Sequence, residues 1–158
     1  MRVLFVSYEV YPLAKVGGLA DVAGSLPKAL KELGLDIDVL MPFHGSVQNI
    51  GIENTGRTVK TRFIKKEYEF ELHRTKLPSS EVSVYLLKND ELMNVPDVYN
   101  VSDLGLQAMA FSDAASVFAS EGSYDIVHLN DWHTGLMAVY LDQIGKPART
   151  LISIHNLA

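Results

Sequence analysis

A lysine and two glycines stand together in Lys15-Val16-Gly17-Gly18, directly after an apolar run and directly before a helix-like pattern. Glycine lacks the Cβ that keeps a ligand off the main chain. The first amides of a helix point outward, unpaired, at the positive end of its dipole. A cation and two glycines at such a junction fit a phosphorylated or nucleotide-linked ligand, and the same lysine also fits an exposed position in a loop. Glu9 follows the first apolar run, Asp131-Trp132-His133 follow a later one, and His155-Asn156 follow the last. Histidine beside a carboxylate can bind zinc, but His133 and His155 lack the His-x-x-x-His spacing of a helical metal site. Glu9 with Asp21 or Asp131 could make a carboxylate pair for glycoside hydrolysis, a reading that depends on their separation. No Gly-x-Gly-x-x-Gly fingerprint, Walker A loop or Gly-x-Ser-x-Gly elbow is present, so dinucleotide, P-loop and serine-hydrolase chemistry have no support.

These residues need elements that deliver them to one edge. Apolar runs predict strands over 3–7, 37–41, 82–87, 125–130 and 150–154. Leu19, Val22, Ala23, Leu26, Leu30 and Leu33 keep a helical period, which predicts a helix over 18–33 stopped by Gly34. Pro27 inside it predicts a kink or a local break. Partial alternation over 57–65 and 68–77 predicts an antiparallel hairpin inserted into the α/β pattern. Between Arg57 and Lys76 it carries seven Lys/Arg against three Glu, either a solvated face or a patch for an anionic ligand.

Residues 89–101, with Pro96, read as a loop, and Ser102 is placed to cap a helix to 120. Its stripe of Leu104, Ala108, Phe111, Ala115 and Phe118 reads as core. A last helix is expected over 134–144, stopped by Gly145 with Pro147 beyond. His128 reads as a hydrogen-bonded core histidine and Trp132 as a packing residue bracing its turn, while His44 and His73 carry no pattern. Together these predict an α/β fold, a doubly wound, Rossmann-like, mostly parallel sheet with an inserted β-hairpin. In such a sheet ligands bind outside the carboxyl ends of the strands, where the polar clusters all fall.

The chain has 158 residues, 47% apolar and 21% charged, which suits one globular domain. A net charge of −5 argues against general nucleic-acid binding. Without cysteine there are no disulfides or thiolate metal sites, and a cytoplasmic location is compatible with that. The first apolar run is too short for a secretory signal, and none approaches the ~18 residues of a membrane span.

The stretch from Tyr8 to Pro27, with Glu9, Pro12 and then Lys15-Val16-Gly17-Gly18-Leu19-Ala20-Asp21-Val22, resembles the opening of bacterial glycogen synthases and plant starch synthases. His128-Leu129-Asn130-Asp131-Trp132-His133-Thr134-Gly135-Leu136 is similar to their second block, and Ile154-His155-Asn156-Leu157-Ala158 to the start of their third. Order and spacing agree over almost the whole chain. The resemblance implies the N-terminal half of a GT-B glycosyltransferase. Such an enzyme transfers glucose, with retention, from ADP-glucose to the non-reducing end of an α-1,4-glucan, with ADP-glucose as donor substrate and no cofactor.

The resemblance further implies that Lys15 contacts the sugar nucleotide and that Gly17 and Gly18 bring their amides to its phosphates. It implies that His155 and Asp21 are the catalytic residues, His155 beside the donor glucose and Asp21 near the donor site, that Glu9 and Asn156 contact substrate, and that Asp131 and His133 line the cleft. Val16 stands where the family commonly has threonine, and Gln107-Ala108-Met109 where it usually shows an arginine–aromatic pair. These departures weaken the carry-over of Tyr99 as a sugar contact.

A GT-B enzyme has a second, C-terminal nucleotide-binding domain, and this chain stops at Ala158 inside the third block. Residues 1–158 are thus expected to be a single, truncated N-terminal domain, inactive alone. The alternatives are a stand-alone sugar-phosphate binder, a module that self-associates through uncovered apolar surface, and an unrelated doubly wound nucleotide binder.

Overall fold

The computed structural model describes residues 1–99, 102–146 and 148–156. Along the chain run β1 (Arg2–Val6), α1 (Gly18–Glu32), β2 (Asp36–Pro42), β3 (Glu53–Phe63), β4 (Lys66–Lys76) and β5 (Ser83–Lys88). They are followed by α2 (Leu104–Glu121), β6 (Ile126–Asn130), α3 (Trp132–Gly135), α4 (Met137–Gln143) and β7 (Arg149–Ser153). The strands make one sheet in the order β3-β4-β5-β2-β1-β6-β7. Five of them, β5, β2, β1, β6 and β7, run parallel. The hairpin β3–β4 is antiparallel and pairs through β4 with β5, so it extends the sheet at one edge.

The central strands are apolar on both faces, as a doubly covered parallel sheet requires: Leu4, Phe5, Val6, Val39 and Leu40 are fully buried. From β1 the chain moves outward to β2 and then returns through α2 to β6 on the other side of β1. Right-handed crossovers put the helices of these two directions on opposite faces. The carboxyl ends of β1 and β6 therefore flank the point where the strand order reverses.

α1 runs through Pro27 without a break, contrary to the expected interruption. Pro27 is buried together with Leu19, Ala20, Ala23 and Gly24, and packing of that face holds the helix where one backbone bond is lost. Gly24 permits the contact, because a Cβ there would stand 2.6 Å from the Tyr11 carbonyl oxygen. Gly34 ends the helix with a φ of +87°, and the Leu35 amide donates to the Leu30 carbonyl at 3.1 Å.

α2 starts from Asp103 rather than Ser102, whose hydroxyl faces the Asp103 carboxylate at 3.5 Å. The helix expected over 134–144 begins earlier and is split into α3 and α4, with Leu136 between them. The hairpin turns at Ile64 and Lys65, both with positive φ. Its cations pair with acids inside and outside it, Lys60 with Glu69, Arg57 with Glu121, Lys66 with Glu91 and Lys76 with Glu81, as on a solvated face. The positions Val101, Pro147, Leu157 and Ala158, used in the sequence reading, lie outside the described residues. Among the described residues no helix is long and apolar enough to cross a membrane.

Candidate active site

A cavity of about 760 Å3 opens at the carboxyl edge of β1 and β6, at the reversal of strand order. It is lined by Glu9, Gly17, Gly18, Asp131, His133, His155 and Asn156, all singled out from the sequence, and also by Tyr99 and Trp132. Lys15 and Asp21 are not among its walls.

Glu9, 2% exposed, clamps the glycine loop. Its Oε2 accepts the amides of Val16 at 2.6 Å and Gly17 at 2.9 Å, and its Oε1 accepts the Tyr99 hydroxyl at 3.0 Å. The Gly17 amide, expected to turn to a phosphate, donates to Glu9 in this structure. The amides left for an anion are those of the first turn of α1, starting at Gly18, which have no partner within the helix. A Cβ on Gly18 would meet nothing within 4 Å, so the fold itself leaves this position open.

Asp131, 4% exposed, does for the opposite wall what Glu9 does for the first. Its Oδ1 accepts the amides of His155 at 2.5 Å and Asn156 at 3.0 Å. Its φ of +59° with ψ of 175° lies in a region that side-chain-bearing residues rarely occupy, and this turn sends the chain from β6 straight into α3. Asn130, fully buried, donates to the Val6 carbonyl at 3.0 Å and stands 3.2 Å from the His155 Nε2 through its own Oδ1. Since Oδ1 only accepts, the His155 Nε2 is the donor in this contact.

His133 is 6% exposed and lies against the Tyr8 ring at 4.8 Å and the Trp132 ring at 3.9 Å. Burial pushes its imidazole down to about 4, against the opposing pull of Asp131 and Glu9. It is a neutral ring at neutral pH. Burial and the Glu9 charge raise the Tyr99 phenol, which stays a hydrogen-bond donor. Trp132 packs on the His133 ring of its turn, as expected, and with 45% of its surface exposed it also forms part of the cavity wall. His128 is the core histidine expected, with Nε2 at 2.8 Å from the Ser153 hydroxyl and its ring edge-on to Phe5.

Lys15 and Asp21 meet each other at the rim. Lys15 Nζ donates to both Asp21 oxygens, at 2.6 and 2.7 Å, with both side chains about half exposed. Among the described residues no group of three or more His, Asp or Glu is placed to hold a metal ion.

Asn130, Tyr8 and His44 were not singled out by sequence reasoning, and Tyr99 was weighed there and set aside, yet it lines the cavity. Tyr99 sits in an aperiodic loop, Asn130 is the polar end of an apolar run, and His44 reaches the Tyr8 carbonyl at 2.9 Å across 36 positions. Only Asn130 carried a signal, a buried-type position filled by an amide.

An open doubly wound sheet, with walls from three strand ends gathered at its switch point, is the α/β class to which GT-B glycosyltransferases belong. The catalytic domain of Starch Synthase IV from Arabidopsis thaliana, solved bound to ADP and acarbose, matches this fold with a TM-score of 0.88 at 25% identity, over 98% of this chain and 34% of that one. The sucrose-phosphate synthase of Thermosynechococcus elongatus shares the fold alone, with a TM-score of 0.60 at 15% identity. The starch synthase catalytic domain model matches residues 2–158, and the chain belongs to that family. The glycogen synthase of Kosmotoga olearia is 52% identical over 99% of this chain and 33% of its own length. That of Pseudothermotoga lettingae is 41% identical over 99% and 35%. The chain thus spans about a third of the length of the curated relatives it matches.

Proposed function

We propose that this chain is the N-terminal domain of a cytoplasmic enzyme that transfers glucose, with retention, from ADP-glucose to an α-1,4-glucan in glycogen synthesis. A C-terminal nucleotide-binding domain supplies the other wall of the cleft. The observation that carries the reading is the cavity at the switch point. It gathers the start of α1 at Gly18, where a side chain is absent without structural need, with the His155–Asn156 turn held by Asp131.

In this reading the departing nucleoside diphosphate develops negative charge before the first turn of α1, whose amides are fixed in advance and need no reorganisation. Lys15, on a long flexible stem, leaves Asp21 for the diphosphate. Asp21 acts as the holder of Lys15 rather than as a contact to glucose. His155 and Asn156 face the donor glucose. Retention requires the acceptor hydroxyl on the face from which the diphosphate leaves, so positioning by these loops carries much of the rate.

The test is a Kosmotoga olearia glycogen synthase in which this chain replaces the matching third, assayed beside the chain alone for glucan elongation from ADP-glucose. Elongation by the chimera and none by the chain is expected. Turnover by the chain alone contradicts the two-domain reading, and a folded chimera that transfers no glucose contradicts the donor-side reading. Cell fractionation tests the location.

A second reading concerns the chain in isolation. Leu151, Ile152 and Ile154, along β7 and just past its end, are 53%, 48% and 60% exposed, unusual for a parallel strand. We infer that they self-associate when nothing covers them. Sedimentation that shows only monomer at high concentration contradicts this.

A further inference from the structure

Behind the wall of the main cavity, four side-chain atoms are buried without a hydrogen-bond partner among the described residues: Tyr8 Oη, His44 Nδ1, Gln107 Oε1 and His133 Nδ1. Tyr8 and His44 are fully buried, and Gln107 and His133 are nearly so. They share one neighbourhood around the Tyr8 ring. His133 stacks on that ring at 4.8 Å, His44 meets it edge-on at 4.9 Å, and Phe111 does so at 5.8 Å. Gln107 precedes Phe111 by one turn of α2, on the same face.

A buried polar atom without a partner is strongly disfavoured, so atoms gathered in this way need a partner in common. An internal water suits them, because it has two hydrogens to give and two acceptor sites, and such waters make about three hydrogen bonds each. His44 Nε2 stands 2.9 Å from the Tyr8 carbonyl, which only accepts, so Nε2 donates. Burial lowers the His44 imidazole from its ordinary range, so the ring is neutral at neutral pH and its Nδ1 accepts. Gln107 Oε1 accepts as well. These two take both hydrogens of the water, and the Tyr8 hydroxyl donates to one of its acceptor sites. The neutral His133 ring completes the set in one way only, with a proton on Nδ1 that donates to the remaining site.

We propose that Tyr8, His44 and Gln107 are positioning residues that, through one internal water, hold His133 as its Nδ1–H tautomer and leave its Nε2 as a hydrogen-bond acceptor on the cavity wall. A lone pair there receives a hydroxyl and repels an anionic oxygen. The His133 side of the cavity thus takes the sugar, and the diphosphate keeps to the Gly18 side. The identity of the ligand rests on the transferase reading, and the tautomer does not.

The test is a long-range proton–nitrogen NMR correlation spectrum of the chain with isotopically labelled histidine, at neutral pH and without ligand. The His133 ring is assigned by the loss of its signals in His133→Phe. A protonated Nδ1 and an unprotonated Nε2 are expected. Gln107→Leu removes an acceptor and frees a hydrogen of the water for His133 Nδ1, so the Nε2–H fraction should rise roughly threefold or more. Tyr8→Phe removes a donor and should leave the Nδ1–H form dominant. Both substitutions keep the approximate shape of the side chain, and thermal melting confirms that the variants stay folded. An Nε2–H ring in the unaltered chain overturns the proposal without recourse to a variant. So does an unchanged tautomer ratio in folded Gln107→Leu, and so does a shift in Tyr8→Phe as large as that in Gln107→Leu. None of these outcomes touches the transferase reading, which stands or falls on elongation by the chimera.

Discussion

The floor of the main cavity and its rim use acids in opposite ways. On the floor, Glu9 and Asp131 are buried, and each accepts two consecutive backbone amides from a neighbouring loop. At the rim, Asp21 is about half exposed and holds a flexible side chain, Lys15. A buried carboxylate with fixed donors cannot release them without leaving polar groups unpaired, at several kcal/mol. A solvated ion pair costs about 0–1 kcal/mol to break. The floor therefore fixes the shape of the cavity, and the rim keeps a cation that can move to a ligand.

The largest effect should come from breaking the floor. Glu9→Ala leaves the Val16 and Gly17 amides and the Tyr99 hydroxyl without their acceptor and should cost about 3 kcal/mol in denaturant unfolding. Glu9→Gln, which keeps an acceptor, should recover part of that. Equal losses in the two variants would make the cost one of packing and break the comparison.

His133 sharpens it through pH. Its folded value of about 4 lies below the ordinary 6.5, so the unfolded chain takes up the proton first as pH falls. The stability associated with neutral His133 is present above about pH 6.5 and is lost as pH falls toward 4, by about 3 kcal/mol in all. His133→Phe keeps a ring between Tyr8 and Trp132 and should flatten the slope of unfolding free energy over that window. An unchanged slope would place the acid sensitivity elsewhere.

Asp131 combines a clamp with backbone strain, and two substitutions separate them. Asp131→Ala loses the carboxylate and keeps the strained φ. Asp131→Gly loses the carboxylate and relieves the strain, and should be more stable than the alanine variant by about 1–2 kcal/mol. Both should disorder the His155–Asn156 turn, seen as faster exchange of those two amides.

The smallest effect on stability belongs to the rim. Lys15→Ala should change unfolding by less than about 0.5 kcal/mol, yet weaken ADP-glucose in the chimera. An unchanged affinity would remove Lys15 from the donor site.

How much of this was legible in the sequence follows the range of the interactions. Glu9, Asp131, His155 and Asn156 are visible because polar residues at the ends of apolar runs are exceptions to the pattern around them. What they hold is not visible: Asp131 reaches amides 24 and 25 positions away, and Tyr99 reaches Glu9 across 90. The engagement of the Gly17 amide by Glu9 was hidden for the same reason, so a glycine that looked free for phosphate is already used. The strained turn at Asp131 could not be read because aspartate does not announce a positive φ as glycine does. Pro27 misled because local propensity argued for a break and tertiary packing decided otherwise. The parallel strands and the hairpin were readable as apolar runs and alternation, which leave different patterns, whereas the exposure of β7 was not.

The most direct test of the central claim, that the switch-point cavity is the donor side of a sugar-nucleotide cleft, is an amide NMR titration of the chain with ADP-glucose and, separately, with ADP. The account predicts millimolar-range shifts at Gly18, Leu19 and Ala20 with both ligands, and shifts at His155 and Asn156 only with ADP-glucose. Shifts confined to residues outside the cavity, or none at either wall, would contradict it.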